Sequence, residues 1–207
     1  MISKILNLNS QQIMKKIVLI IVTSLLVFSC FGFSEPIEVI NIQPLGKVSP
    51  QYIEVVKKAV KSFYGYDCVV KKRIDVTTSI LSKVAKRIDA DKLLDKYKSA
   101  QNFLIITEKD ICHFKDKQRP EYGIFGLGLR PGKICVISTF RLKRKVTKQK
   151  TYERLGKLAI HEIGHNLGLY HCTNDKRCLM NDARGTIRQV DLGRVWFCEK
   201  CMSKIKN

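Results

Sequence analysis

Apolar residues along this chain keep two rhythms. From Ile37 to Ile42, Cys68 to Val76, Asn102 to Thr107 and Ile134 to Ser138 they form short runs or alternate with polar residues, the pattern of β-strands. From Gln51 to Phe63, just behind Ser49-Pro50, they recur every three to four residues, which predicts an amphipathic helix. The same spacing through Ile80, Val84, Ile88 and Leu93-Leu94 predicts a second helix over 79–99. Gly123 to Leu127 reads as a further strand, joined to 134–138 through the turn Arg130-Pro131-Gly132-Lys133. Thr151 is placed to cap a helix that runs on through His165. Elements in this order predict an α/β domain, a mixed twisted β-sheet covered by helices. No Pro/Gly/Ser-rich linker or internal repeat divides it.

One segment changes the picture. His161-Glu162-Ile163-Gly164-His165-Asn166-Leu167-Gly168-Leu169-Tyr170-His171 reads H-E-x-x-H-x-x-G-x-x-H and holds three of the four histidines in the chain. On a helix, positions four apart lie one turn apart on one face, so His161 and His165 can share one zinc ion. Glu162 flanks that face and is the candidate general base for a water activated by the metal. Gly168 predicts the end of the helix, because glycine adopts the left-handed conformation that turns the chain back. His171 then returns as a third ligand, leaving one coordination position open. This constellation predicts a hydrolase of peptide bonds.

A second cluster follows at once. Cys172, Cys178, Cys198 and Cys201 are spaced C-x5-C-x19-C-x2-C, which suits a closed, structural zinc; two disulfides are the alternative in an oxidising compartment. The short piece after Gly168 cannot bury much core, so a metal staple there makes physical sense. Because Cys172 abuts His171, such a staple would fix the backbone that carries the third histidine. The expected cofactors are therefore two Zn2+ per chain, one catalytic and one structural.

These residues resemble the archaemetzincins, a family of the metzincin clan of zinc peptidases. The family pattern runs from the long motif into Cys, four residues, Cys-x-Met, seventeen residues and Cys-x-x-Cys. This sequence supplies Cys172, Cys178-Leu179-Met180 and Cys198-Glu199-Lys200-Cys201, with five residues in place of four between the first two cysteines. Lys86 to Asp91 with Leu93-Leu94, Ile105 to Asp110, and Gly123 to Leu127 are also similar to family segments. The resemblance implies a metzincin-like fold with a backing helix, an active-site helix and a small zinc-stapled C-terminal subdomain, divided as 36–168 and 169–207 within a domain spanning 30–207. It also implies that Met180 is the methionine beneath the catalytic zinc, and that Gly123 to Leu127 is the edge strand above the cleft, to which an extended peptide adds.

The N-terminus adds an expectation about address. Lys15-Lys16 precede an apolar run from Ile17 to Phe28, shorter than the ~20 residues a spanning helix needs. Residues 1–29 therefore read as a signal peptide ending in a lipobox-like Val27-Phe28-Ser29-Cys30, with cleavage after Ser34 or an uncleaved anchor as alternatives. The expectation is an exported protein of a bacterial cell envelope, with membrane attachment through a lipidated Cys30 as one form of it.

Charge and the remaining cysteines add less. The net charge is +20 at pH 7, and six of the ten residues from Arg141 to Lys150 are basic. No aromatic interleaving or nucleic-acid motif accompanies this run, so it reads as a solvated loop, and no nucleic-acid partner is expected. Cys112 and Cys135 are either a disulfide or buried thiols, and Cys68 carries no assigned role. The expected partner is a peptide or protein substrate, the expected state a monomer. An inactive zinc-binding relative of a peptidase and a basic zinc module for nucleic acid are the competing functions.

Overall fold

In the strand Phe103–Thr107, Leu104 and Ile106 face one side and Ile105 the other, and all three are fully buried. A strand hidden on both faces belongs in the middle of a covered sheet. In the computed structural model, which describes residues 39–205, this strand holds that place. The elements are β1 (Val39–Leu45), α1 (Pro50–Tyr64), β2 (Asp67–Val70), β3 (Ile88–Asp89), α2 (Ala90–Lys96), β4 (Phe103–Thr107), β5 (Ile111–His113), β6 (Tyr122–Ile124), β7 (Gly126–Gly128), β8 (Ile134–Ser138), α3 (Lys148–Asn166), α4 (Ile187–Leu192) and α5 (Glu199–Met202). The main sheet has the order β2-β1-β4-β8-β7. Its first four strands are parallel, and β7 runs antiparallel to β8 at the edge. A smaller sheet has the order β3-β5-β6.

The two faces of the main sheet bury different partners. Val56 and Val60 of α1 pack with Leu155, Ala159 and Ile163 of α3 against Ile42, Leu104, Ile106 and Ile137. On the other face Leu93, Leu94 and Ile111 pack against Ile105 and Val136. The mixed α/β fold expected from the sequence is thus present, with α1 as backing helix and α3 as the helix of the H-E-x-x-H motif. A third cluster, centred on Phe197, Met180 and the four clustered cysteines, closes the C-terminal end. Tyr64 ties these layers together. Its hydroxyl donates to the Ile160 carbonyl at 2.7 Å, and its ring meets Phe197 edge-on.

Several expected elements differ. The helix over 79–99 is only α2, preceded by a 3-10 turn at Thr78–Ile80 and the two-residue β3. A carboxylate from elsewhere overrides the local spacing: Glu121 accepts from the Val84 and Ala85 amides, each at 2.8 Å, and from the Ser82 hydroxyl. The N-terminus of α2 is then set by Asp89, whose side chain accepts from the Lys92 amide. The strand from Cys68 to Val76 stops at Val70, and only an isolated bridge from Leu45 to Ile74 continues the pairing. The strand from Gly123 to Leu127 is split at Phe125, whose ring enters the main core. Thus β6 pairs with β5 of the small sheet and β7 with β8 of the large one. The cap of α3 is Thr147, which accepts from the Lys150 amide; Thr151 lies within the helix and donates back to the Thr147 carbonyl. Cys112 and Cys135 lie on different sheets as free, buried thiols. In the basic run, Arg141 holds Asp110 and Lys143 pairs with Glu108, so part of its charge is neutralised. Residues 1–29 and Cys30 lie outside the described residues.

Candidate metal centre

Helix α3 presents His161 and His165 one turn apart, with ring centroids separated by 4.7 Å. Its end is built as the sequence predicts. The Gly168 amide donates to the His165 carbonyl, the Leu169 amide donates to the Gly164 carbonyl, and Gly168 takes φ = 91°. The chain folds back and brings the His171 ring to 4.8 Å from His165 and 5.5 Å from His161. One ring nitrogen from each histidine lies within 4.8 Å of the other two.

Backbone carbonyls fix which nitrogen faces the centre. His161 Nδ1 lies 2.7 Å from the Leu179 oxygen, and His165 Nδ1 lies 2.7 Å from the Leu169 oxygen. A carbonyl only accepts, so both Nδ1 atoms carry the proton and both Nε2 lone pairs stay free. Burial, followed by the neighbouring His165, lowers His161 to about 3. Burial likewise lowers His165 to about 4 and, as the main cause, lowers His171. Neutral imidazoles with free, converging lone pairs fit a divalent ion.

Glu162 sits beside them, buried, and burial pushes its carboxyl up to about 8. Above it lies edge strand β7. A Cβ at Gly126 would come within 2.5 Å of the Glu162 carboxylate, and one at Gly128 within 2.7 Å of the Glu162 carbonyl. Glycine at both positions therefore lets strand and helix approach closely enough to enclose the carboxylate. Below, Met180 packs under α3, where a Cβ at Gly164 would lie 2.6 Å from its sulfur. None of these glycine roles was assigned from the sequence, although Gly126-Leu127-Gly128 places two glycines on one face of a strand. The cleft between β7 and α3 has a volume of about 370 Å³ and also receives His113, Lys115, Arg130 and Asp182. His113 Nδ1 is held by Asp91 at 2.9 Å.

The cysteines form a separate, closed cluster. Cys172 and Cys198 sulfurs lie 3.6 Å apart, and those of Cys178 and Cys201 3.8 Å apart. Four thiolates bound tetrahedrally at about 2.3 Å would have sulfurs about 3.8 Å apart, so the donor set fits a zinc ion. Burial raises the Cys178 and Cys201 thiols, whereas at Cys172 amide donors at Asp175 and Asn174 outweigh burial and bring the thiol down to about 7. The two clusters are wired together by backbone. Cys172 follows His171, its amide donates to the Met180 carbonyl, and the Leu179 carbonyl that orients His161 lies between Cys178 and Met180.

Residues 47–207 match Peptidase family M54. The chain belongs to this family. Among curated relatives, the archaemetzincin of Halobacterium salinarum is 29% identical over 177 residues, covering 80% of this chain and 98% of its own. That of Methanocaldococcus jannaschii is 31% identical, covering 81% of this chain and 93% of its own. The crystal structure of an archaemetzincin from Archaeoglobus fulgidus superposes with a TM-score of 0.71 at 30% identity, covering 81% of this chain and 99% of that one. As an M54 peptidase the chain is a zinc-dependent hydrolase of peptide bonds, with a histidine triad and a cysteine cluster able to hold metal.

The family membership corrects one expectation. These relatives are archaeal, so a bacterial cell-envelope address is not supported. That expectation rested on one short apolar run and a four-residue lipobox-like pattern, too little sequence to be specific, and both precede the family match. Among the described residues, no helix is long and apolar enough to cross a membrane.

Proposed function

We propose that the chain cleaves peptides with Glu162 as general base beside a zinc ion held by His161, His165 and His171, and that Cys172, Cys178, Cys198 and Cys201 hold a second, structural zinc. The observation that carries this reading is the convergence of three neutral imidazoles next to a buried carboxylate on an open cleft. Zinc bound there supplies a Lewis acid for the scissile carbonyl and acidifies water at the site. The chain's own groups do the rest. The Leu179 and Leu169 carbonyls hold two rings in the binding tautomer. A Glu162 carboxylate oxygen takes the proton of the attacking water and passes it to the leaving amine.

An extended substrate lies along β7, whose only ladder partner among the described residues is β8. Residues up to Gly168 form the upper part of the domain, and residues from 169 onward form a lower part stapled by the cysteines. Glu162→Gln is the test, on zinc-loaded protein with a mixed peptide library. It is expected to lower kcat/KM by about 10³-fold while the zinc content stays unchanged. Undiminished cleavage by the variant would remove Glu162 from this role.

A further inference from the structure

We infer that the cleft is selective for acidic peptides, and that Arg130 at one end of its rim and Lys115 at the other bind the substrate's carboxylates. This rests on the peptidase reading above and adds the substrate class to it. Arg130 follows β7, and its guanidinium lies 3.6 Å from the ring centroid of Tyr170, the residue before His171. Lys115 lies 4.4 Å from the ring centroid of Tyr122, which opens β6. The rim strands run between these two positions, so the cations bracket the place where an extended chain would lie.

The way these cations are held matters. An aromatic face positions a cation without cancelling its charge, whereas a carboxylate partner would neutralise it. Among the described residues neither cation has an ion-pair partner. The nearby acids have other partners: Asp116 pairs with Arg119, and Asp182 accepts from the Arg184 amide. A guanidinium stacked by one face keeps its N–H edge free for the two-point contact that a carboxylate makes. The remaining charges in the cleft agree. Arg184 also lines it, and Asp182 is the one carboxylate there besides the buried Glu162. A cleft lined with unneutralised positive charge concentrates acidic chains and repels basic ones.

Paired fluorogenic peptides test this, identical except for Asp or Glu against Asn or Gln at each position on either side of the cleaved bond. With the zinc-loaded full chain, the acidic member is expected to have about tenfold higher kcat/KM at one position on each side. Arg130→Gln should bring the acid-to-amide ratio close to one at the first position only, and Lys115→Gln at the other only. A binding arm uses Glu162→Gln protein and labelled acidic and amide twins, read by fluorescence anisotropy. The acidic twin should bind more tightly, and added salt should erase the difference. Equal kcat/KM and equal binding for the twins would overturn the inference, as would ratios unchanged in both variants. If neither twin is cleaved while the acidic one still binds more tightly, the peptidase reading falls and the charge selection stands.

Discussion

The histidine cluster and the cysteine cluster meet at the His171–Cys172 peptide bond, yet the chain treats them in opposite ways. Three donors surround the first, which opens onto a cleft with His171 exposed; four surround the second, and all are buried. A site with three protein ligands and an open side leaves room for water and substrate, whereas a site with four closed ligands can only hold the chain. The difference extends to what orients the donors. Two of the imidazoles are aimed by backbone carbonyls, His165 by Leu169 and His161 by Leu179 between two of the cysteine-cluster residues, while the cysteine sulfurs take no hydrogen bond from a histidine. The segment of the closed site therefore supports the open one.

Breaking the closed site should have the largest effect. Cys198 makes no hydrogen bond to a histidine, but Cys198→Ser removes one of the four sulfurs proposed to tie down the residues beyond Gly168. We expect a loss of about 4 kcal/mol, roughly 10 °C in Tm, accompanied by at least a tenfold fall in turnover. A calorimetric scan and a peptide assay on the same sample would check this, and normal turnover would show that the two sites are independent. Dialysis against a chelator should separate them from the other side. The open site loses its metal and turnover falls to background, while elemental analysis still finds one zinc per chain and Tm moves little.

A third experiment acts at the seam. Gly164→Ala places a methyl where the Met180 sulfur lies and should cost about 1–3 kcal/mol, with a measurable fall in zinc affinity at the histidines. The smallest effect concerns a tie that needs no metal. Arg154, 4% exposed, donates to both oxygens of Asp191 and so joins α3 to α4. The Arg154 hydrogen bonds hold the Asp191 carboxyl below its usual range. Because its folded pKa is depressed, the stabilisation is complete above the unfolded value near ~3.9 and is lost as pH falls through the folded value. The stability advantage of wild type over Asp191→Asn, on the order of 1 kcal/mol at neutral pH, should shrink in that acid window. A gap independent of pH would mean that packing, not charge, makes the tie.

What could be read from the sequence follows a physical line. The convergence of the three histidines was legible because helix geometry sets His161 against His165 and Gly168 turns the chain back to His171, and the central strand because both its faces are buried. Residues whose role depends on distant partners were not. The helix expected over 79–99 fails because Glu121, far along the chain, takes the amides that a helix would have used. Likewise Leu179 orients His161 through a carbonyl, a group every residue carries, so no side-chain pattern could have marked it. The glycines of β7 were visible as letters, but the carboxylate they make room for appears only once strand and helix are packed.

The pin at Phe125 reaches further than its place in the core. Because its ring is sunk in the main core while its backbone joins strands of two different sheets, the rim of the cleft is held against creeping lengthwise along α3. A chain paired to that rim would be measured from a fixed mark, and the bond presented to Glu162 would be chosen by counting residues from it.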